Sequence, residues 1–462
     1  MNPQRFLTHT LKNSPNAEPV PRILAAGIQA VDPAAAVVRH MHRDGNMLTI
    51  GGRVYNLDNL RRILVIGFGK ASLPMADASV NILGDFLTTS TVITKSPISN
   101  LQSPIHSHQF TNLSITILPA SHPVPDERGV AGAQKIIDLL STTTENDLVI
   151  CLISGGGSAL LTSPASGISL DDIQTLTKSL LGCGATINEI NTMRKHLSQV
   201  KGGQLVRLAA PAQIATLILS DVVGDPLDVI ASGPTVPDSS TFQDALKILA
   251  RYGIANKIPA AILEHFKRGS RGEIPETPKD GDSIFEQVNN VIVGNNTQAA
   301  QAAIEAAKTY GFNTLLLTTS LQGEASIAGK ILASIAHQIS ATGDPIPRPA
   351  CIVTGGETTV TIRGKGLGGR NQELALAAVS ELTGLPDVML IALATDGDDG
   401  PTDAAGAVVT GKTLARAREI GLDPAEFLAR NDSYHFFEPL GDLLKPGPTQ
   451  TNVNDLTFIF AF

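Results

Sequence analysis

Residues 147–161, DLVICLISGGGSALL, constrain the fold of this chain more than any other stretch. Residues 148–153 form an unbroken apolar run with Val and Ile, the pattern of a strand buried on both faces. The run ends in Ser154, Gly155, Gly156, Gly157 and Ser158, after which Ala159-Leu160-Leu161 reads as the start of a helix. Three glycines let the backbone approach a ligand closely and turn its N–H groups toward one point. A helix start behind them adds partial positive charge, so the loop is a candidate cradle for phosphate. A tight strand-to-helix turn with no ligand would use the same residues. What favours the cradle is repetition, since several other strands here also end in polar, glycine-bearing loops.

The alternation of strand and helix patterns supports a doubly wound, mostly parallel sheet. Residues 62–66 read as a strand followed by Gly67-Phe68-Gly69-Lys70-Ala71-Ser72 and a helical run over 74–82. Strands are expected at 91–94 and 114–118, the second leading into ASHPVPDE at 120–127. Ser169…Asp172 and Thr186…Glu189 fit capping boxes, the second helix running through Arg194-Lys195-His196 to Gly202-Gly203. Residues 215–219 form another apolar strand, ending in Ser220-Asp221-Val222-Val223-Gly224-Asp225. At 462 residues the chain is too long for one core. The polar stretch 266–288 is the expected boundary, giving domains at 1–275 and 285–462. In the second, strands are expected at 291–293, 314–317, 351–354, 388–394 and 456–460. Residues 358–362 are β-branched and placed to pair antiparallel with 351–354, which makes that sheet mixed. Residues 1–20 read as a loose lead-in and 23–31 as a helix.

Composition narrows the function classes. The net charge is −8, no basic run occurs, and the aromatics are 14 Phe, 4 Tyr and no Trp, so nucleic acid is not an expected partner. Cys151 and Cys351 sit in apolar strand-like runs and Cys183 stands apart, which reads as free thiols in a reducing compartment. No apolar run reaches the length of a membrane span. The N-terminus lacks an apolar secretory core, so a cytoplasmic chain is expected. Arg5 and Lys12 without an acid in the first 17 residues leave an organellar transit segment as the second reading.

The polar residues gather in the loops after strands, where open α/β sheets bind ligands. Gly67-x-Gly69-x-x-Ser72 lacks the third glycine of a dinucleotide fingerprint, and no acid follows the next strand. A Walker loop is also absent. Lys70 is a solvated charge or a point charge for a carboxylate or phosphate. Asp221 and Asp225 in one loop, and Asp396, Asp398, Asp399 and Asp403 in another, are the acidic loops that Mg²⁺ uses, and also common turn formers. An Asp there could also accept a hydroxyl proton. GKGLGGRNQE at 364–373 puts Arg370 at a helix start, in position to capture an anion bidentately. His122 is either a ligand contact or a structural histidine. Zinc spacing is lacking, and Leu160 stands where a serine-hydrolase elbow around Ser158 needs glycine.

Taken together, the segments GFGKAS, SHPVPDERG, ISGGGSALL, INEINTMRKHLSQVKGG, SDVVGDPLDVIASGPT, VGNN, TGGETTVTIRGKGLGGRNQELAL, ATDGDDGPTDAAGA and GPTQTNVNDL resemble the glycerate 2-kinases, whose members often carry the name hydroxypyruvate reductase. They run in family order from about residue 20 onward, with Phe68 where a small residue is usual. The resemblance implies an N-terminal Rossmann-like domain, a C-terminal MOFRL domain, and a site in the cleft between them. It implies ATP- and Mg²⁺-dependent phosphorylation of D-glycerate at its 2-hydroxyl by a monomer or homodimer. On that model Lys70 and Arg370 hold the substrate carboxylate or the transferring phosphate, with His122 as a further substrate contact. Ser154, Gly155, Gly156, Gly157, Ser158 and Asn295 serve the ATP phosphates. Asp221 activates the hydroxyl, while Asp225, Asp396 or Asp398 serve Mg²⁺. The rivals are an NAD(P)H-dependent hydroxypyruvate reductase and a sugar-phosphate sensor.

Overall fold

The computed structural model describes residues 1–95 and 115–462, so Ser114, expected to open a strand, lies outside the described residues. The chain divides into two compact units, one of residues 33–220 and 225–293, the other of residues 1–32, 221–224 and 294–462. This differs from the expected boundary at 275–285. The polar stretch behind that expectation is bonded into the first unit: the Thr277 hydroxyl donates to Asp238 at 2.9 Å, and Glu276 meets His196 Nε2 at 3.0 Å.

The first unit opens with a small antiparallel sheet of β1 (Met41–Asp44), β2 (Met47–Ile50) and β3 (Arg53–Asn56). Its main sheet comprises β4 (Arg62–Phe68), β5 (Thr89–Lys95), β6 (Ile115–Ala120), β7 (Asp147–Ile153), β8 (Gln213–Leu219) and β9 (Val288–Gly294), in the order β6-β5-β4-β7-β8-β9. The pairings β6–β5, β5–β4, β4–β7 and β7–β8 are all parallel. This is the doubly wound order, with its switch point between β4 and β7. Strand β7 is buried at all seven residues, as an apolar run without alternation requires. Both capping boxes form, at Ser169–Asp172 and Thr186–Glu189. The helix after the second is Ile187–His196, shorter than expected, because Ser198 leaves the helix to bridge Pro164.

The second unit holds a mixed sheet of β10 (Asn313–Glu324), β11 (Ala350–Thr359), β12 (Val388–Ala394), β13 (Gly406–Thr410), β14 (Leu443–Leu444) and β15 (Asp455–Ala461), ordered β10-β11-β15-β12-β13-β14. Only β10–β11 is parallel among its pairings. The expected hairpin at 358–362 does not form: Thr358 and Thr359 prolong β11 and pair in parallel with Gly323 and Glu324. Ala350, Ile352, Leu390 and Ile459 share a core with the helices Ala325–Thr342 and Arg370–Glu381. These helices cross closely at Gly329, where a Cβ would lie 2.2 Å from Leu374 O. The lead-in is not loose. Phe6 and Leu11 are buried, and the Thr10 N–H and hydroxyl donate to the two oxygens of Asp442, each at 2.8 Å. Helix Val20–Ala30 packs on Asn296–Thr309 through Gly27, whose missing Cβ would sit 3.2 Å from Ala299 O. That contact assigns residues 1–32 to this unit. No described helix is long and apolar enough to cross a membrane.

At the start of β7 the Asp147 carboxylate is fully buried and bound by Arg61 at 3.0 Å and Arg62 at 2.7 Å. Burial alone would raise its pKa, but the two guanidiniums and the Thr144 N–H together hold it well below the usual carboxylate range. Because the folded value is the lower one, the ionised carboxylate stabilises the fold fully above its unfolded pKa of about 3.9, and that contribution is lost as pH falls through the folded value. Asp147→Asn should therefore cost about 2–4 kcal/mol in urea unfolding at pH 7. The gap from wild type should narrow at pH 3, and an equal gap at both pH values would refute the assignment.

Candidate functional site

The crevice at the carboxyl ends of β4 and β7 is where a doubly wound sheet binds ligands. Here the two loops lock together. The Lys70 N–H donates to Gly155 O at 2.9 Å, and the Ser154 N–H to Phe68 O at 3.2 Å. The Ser154 hydroxyl accepts from the Ala71 N–H at 3.0 Å, and the Ser72 hydroxyl donates to Gly69 O at 2.7 Å. Gly69 must be glycine: its φ is +132°, and a Cβ would lie 2.2 Å from Ser154 Oγ and 2.5 Å from Ser154 O.

The second loop turns at Gly156, with φ +80°. A Cβ there would fall 2.8 Å from His122 Cδ2, so the His122 ring lies against the glycines. Burial, then the charges of Lys70 and Lys95, push the His122 pKa down to about 4, leaving a neutral ring at neutral pH. Gly157 N–H donates to Ser154 O at 3.2 Å, while the N–H groups of Gly155, Gly156 and Ser158 donate to no partner among the described residues. The helix that follows is only Gly157–Leu160, four residues, so the expected dipole contribution is lost. What suits an anion here is the set of backbone N–H groups around a left-handed glycine, together with Lys70.

Behind the loop stand residues to which the sequence reading gave no role. Ser158 Oγ is 2.9 Å from Ser232 Oγ, and Ser232 donates to Asn191 Oδ1 at 3.0 Å. Lys201 Nζ donates to Ser158 O at 2.8 Å and Leu161 O at 2.7 Å. Its pKa is pushed down to about 7, by burial first and then by the charge of Arg194. Ala231 and Ser232 adopt φ of +51° and +63°, rare for residues with a Cβ, and so mark local strain. The available signal was Lys201 standing directly before Gly202-Gly203, whose N–H groups bond to Ser232 O and Gly233 O.

The other candidates divide between the units. Ser220 closes β8, Asp221–Gly224 counts with the mixed-sheet unit, and Asp225 returns to the first with φ +55°. In the mixed-sheet unit Arg370 opens its helix and is held on three sides. Its Nε and Nη2 donate to Asp455 at 2.6 and 3.1 Å, and its Nη1 donates to Glu357 at 2.7 Å. Two of its five N–H groups have no partner among the described residues. Asp399, beside the exposed Asp398 and partly exposed Asp396, caps this helix by accepting from the Asn371 and Gln372 N–H groups at 3.2 and 2.8 Å. Burial, opposed by the Gln372 N–H, carries the Asp399 pKa up to about 7. The glycines of 364–369 serve close packing. A Cβ at Gly364 would lie 2.2 Å from Arg430 O, and one at Gly369 would lie 2.3 Å from Asp399 Cγ. Asn295 caps the helix Asn296–Thr309, its Oδ1 accepting from the Gln298 N–H at 2.9 Å. No group of three or more His, Cys, Asp or Glu among the described residues could hold a metal ion by itself.

Two family models match: a domain of unknown function (DUF4147) over residues 20–267, and the MOFRL family over residues 350–455. The chain is 44% identical over 400 residues to the D-glycerate 2-kinase of Thermotoga maritima, covering 86% of this chain and 90% of that one. The chain belongs to the glycerate 2-kinase family. A glycerate 2-kinase of Pyrococcus horikoshii is 41% identical, with 94% of this chain and 95% of that one covered. The crystal structure of a Thermotoga maritima glycerate kinase superposes with a TM-score of 0.83 at 41% identity, covering 96% and 99% of the two chains. The fold described above is therefore that of the glycerate 2-kinase family.

Gly69→Ala should force the two loops of this family member apart at the switch point. The expected loss exceeds about 2 kcal/mol in chemical denaturation, from overpacking and backbone strain together. A variant with wild-type stability would refute the interlock.

Proposed function

We propose that the chain is a D-glycerate 2-kinase that transfers the γ-phosphoryl group of ATP, with Mg²⁺, to the 2-hydroxyl of D-glycerate, giving 2-phosphoglycerate. The observation that carries this reading is the likeness to a D-glycerate 2-kinase along nine-tenths of that protein. The residues fit the groups the reaction needs. The unpartnered N–H groups of Gly155, Gly156 and Ser158, with Lys70 on the adjoining loop, suit phosphate oxygens. Asp225, Asp396 or Asp398 would supply oxygen to Mg²⁺, an ion that takes one or two carboxylates and fills its shell with water and phosphate. When bound, the ion neutralises charge on the phosphates.

Phosphoryl transfer asks the protein mainly for positioning and charge neutralisation. Lys70 holds the transferring phosphate or the substrate carboxylate as a point charge. Arg370, braced by Asp455 and Glu357, offers its remaining N–H groups to the carboxylate. The neutral His122 ring adds a contact without a competing charge. Asp221 accepts the proton of the 2-hydroxyl as that oxygen forms its bond to phosphorus. Asn295 stands at the mouth of β9 for a further phosphate contact. A hydride-transfer reading fares worse, because Gly69 is consumed by packing against Ser154 and leaves no close approach for a dinucleotide pyrophosphate.

Purified protein given D-glycerate, ATP and Mg²⁺ should form 2-phosphoglycerate, identified by phosphorus NMR and by an enolase-coupled assay. Chelation should abolish the reaction and Mg²⁺ should restore it. Lys70→Ala and Asp221→Asn should each lower kcat/KM by about 10²-fold or more. No ADP release, together with NADH or NADPH oxidation on hydroxypyruvate, would replace this reading with a reductase.

A further inference from the structure

The helix Ile187–His196 ends in three consecutive basic residues, and they differ in what holds them. Lys195 lies 3.4 Å from Asp228 and 3.3 Å from Asp238. His196 is bonded to Glu276 and to Thr192 O. Arg194 is half-buried yet takes part in no hydrogen bond or ion pair among the described residues. Burial lowers its pKa, and its charge in turn lowers that of Lys201, whose ammonium group is buried and already committed to the carbonyls of Ser158 and Leu161. Buried charges in proteins are almost always paired, so a partly desolvated guanidinium beside a second cation is a costly arrangement without a ligand.

Its position on the helix says where that ligand sits. Asn191 is three residues earlier and therefore on the same face. Through Ser232, Asn191 is tied to the Ser158 hydroxyl at the end of the glycine loop. Arg194 thus shares a helix face with the residue tied to the loop, and Lys201 is bonded to Ser158 O within the loop itself. Guanidinium binds phosphate bidentately, which a lysine cannot do.

We propose that Arg194, backed by Lys201, is a binding residue for a phosphate oxyanion held at the Ser154–Ser158 loop. This rests on the kinase reading for the source of the phosphate, the nucleotide tail or the phosphorylated product, but not for the anion site itself.

The test compares wild type with Arg194→Gln and Arg194→Lys. Calorimetric titration with ADP and, separately, with 2-phosphoglycerate should show affinity for at least one of them falling about 10-fold or more in Arg194→Gln, the loss expected for a charge-assisted hydrogen-bonded contact. The ligand affected names the source. Arg194→Lys should recover part of the affinity. Pyrophosphate should raise the unfolding temperature of wild type and not of Arg194→Gln, an arm that needs no kinase activity and separates this proposal from the reading it extends. Without ligand, Arg194→Gln should unfold at or above the wild-type temperature, since it loses no partner; a purely structural arginine would give a drop. Wild-type affinity for ADP, 2-phosphoglycerate and pyrophosphate in Arg194→Gln would overturn the proposal.

Discussion

Two backbone hydrogen bonds, from Lys70 N–H to Gly155 O and from Ser154 N–H to Phe68 O, carry the β4–β7 ladder past the ends of both strands. Their effect is to make two loops one rigid object. Once the backbones are this close, position 69 admits no side chain, and the Ser154 hydroxyl is drawn to the Ala71 N–H. The direction in which Lys70 leaves the sheet then follows from the register of two buried strands rather than from a flexible turn. On the proposed kinase reading such fixing matters, because positioning is the larger part of phosphoryl-transfer catalysis.

The same pair of strands has opposite polar accounting at its two ends. At the amino end, Asp147 is buried and fully met by Arg61, Arg62 and Thr144. At the carboxyl end, the N–H groups of Gly155, Gly156 and Ser158 have no partner among the described residues. The two ends of one strand pair thus differ in whether the protein itself supplies the partners. Strain at Ala231 and Ser232 sits beside the second, held by the bonds from Gly202 and Gly203.

Features set by local pattern could be read from the sequence. Strand β7 carries an unbroken apolar run over residues 148–153, and the capping boxes at Ser169 and Thr186 are defined within four residues. Features set by distant partners could not. The carboxylate that grips Arg370 comes from Asp455, 85 positions away, and the lead-in is held by Asp442, 432 positions away. The expectation of a boundary near 275–285 rests on a polar, proline-containing stretch that resembles a linker until the hydrogen bonds of Glu276 and Thr277 are seen. For Lys201 the one local signal is the Gly202-Gly203 pair that follows it, and the two carbonyls it caps, at Ser158 and Leu161, lie about 40 positions away.

Strand β15 has a consequence for how the chain is made. It pairs with β11 on one side and β12 on the other, at the centre of the mixed sheet, yet it is the last strand in the chain order. During synthesis β11 and β12 emerge with no partner between them, and residues 1–32, which belong to the same unit, emerge before every other part of it. The parallel-sheet unit, whose strands all precede residue 295, can complete its main sheet while the ribosome is still translating. The mixed-sheet unit must wait for residues 455–461. Exposed apolar edges persist over that interval, which makes this unit the part of the nascent chain with the longest need for protection from aggregation.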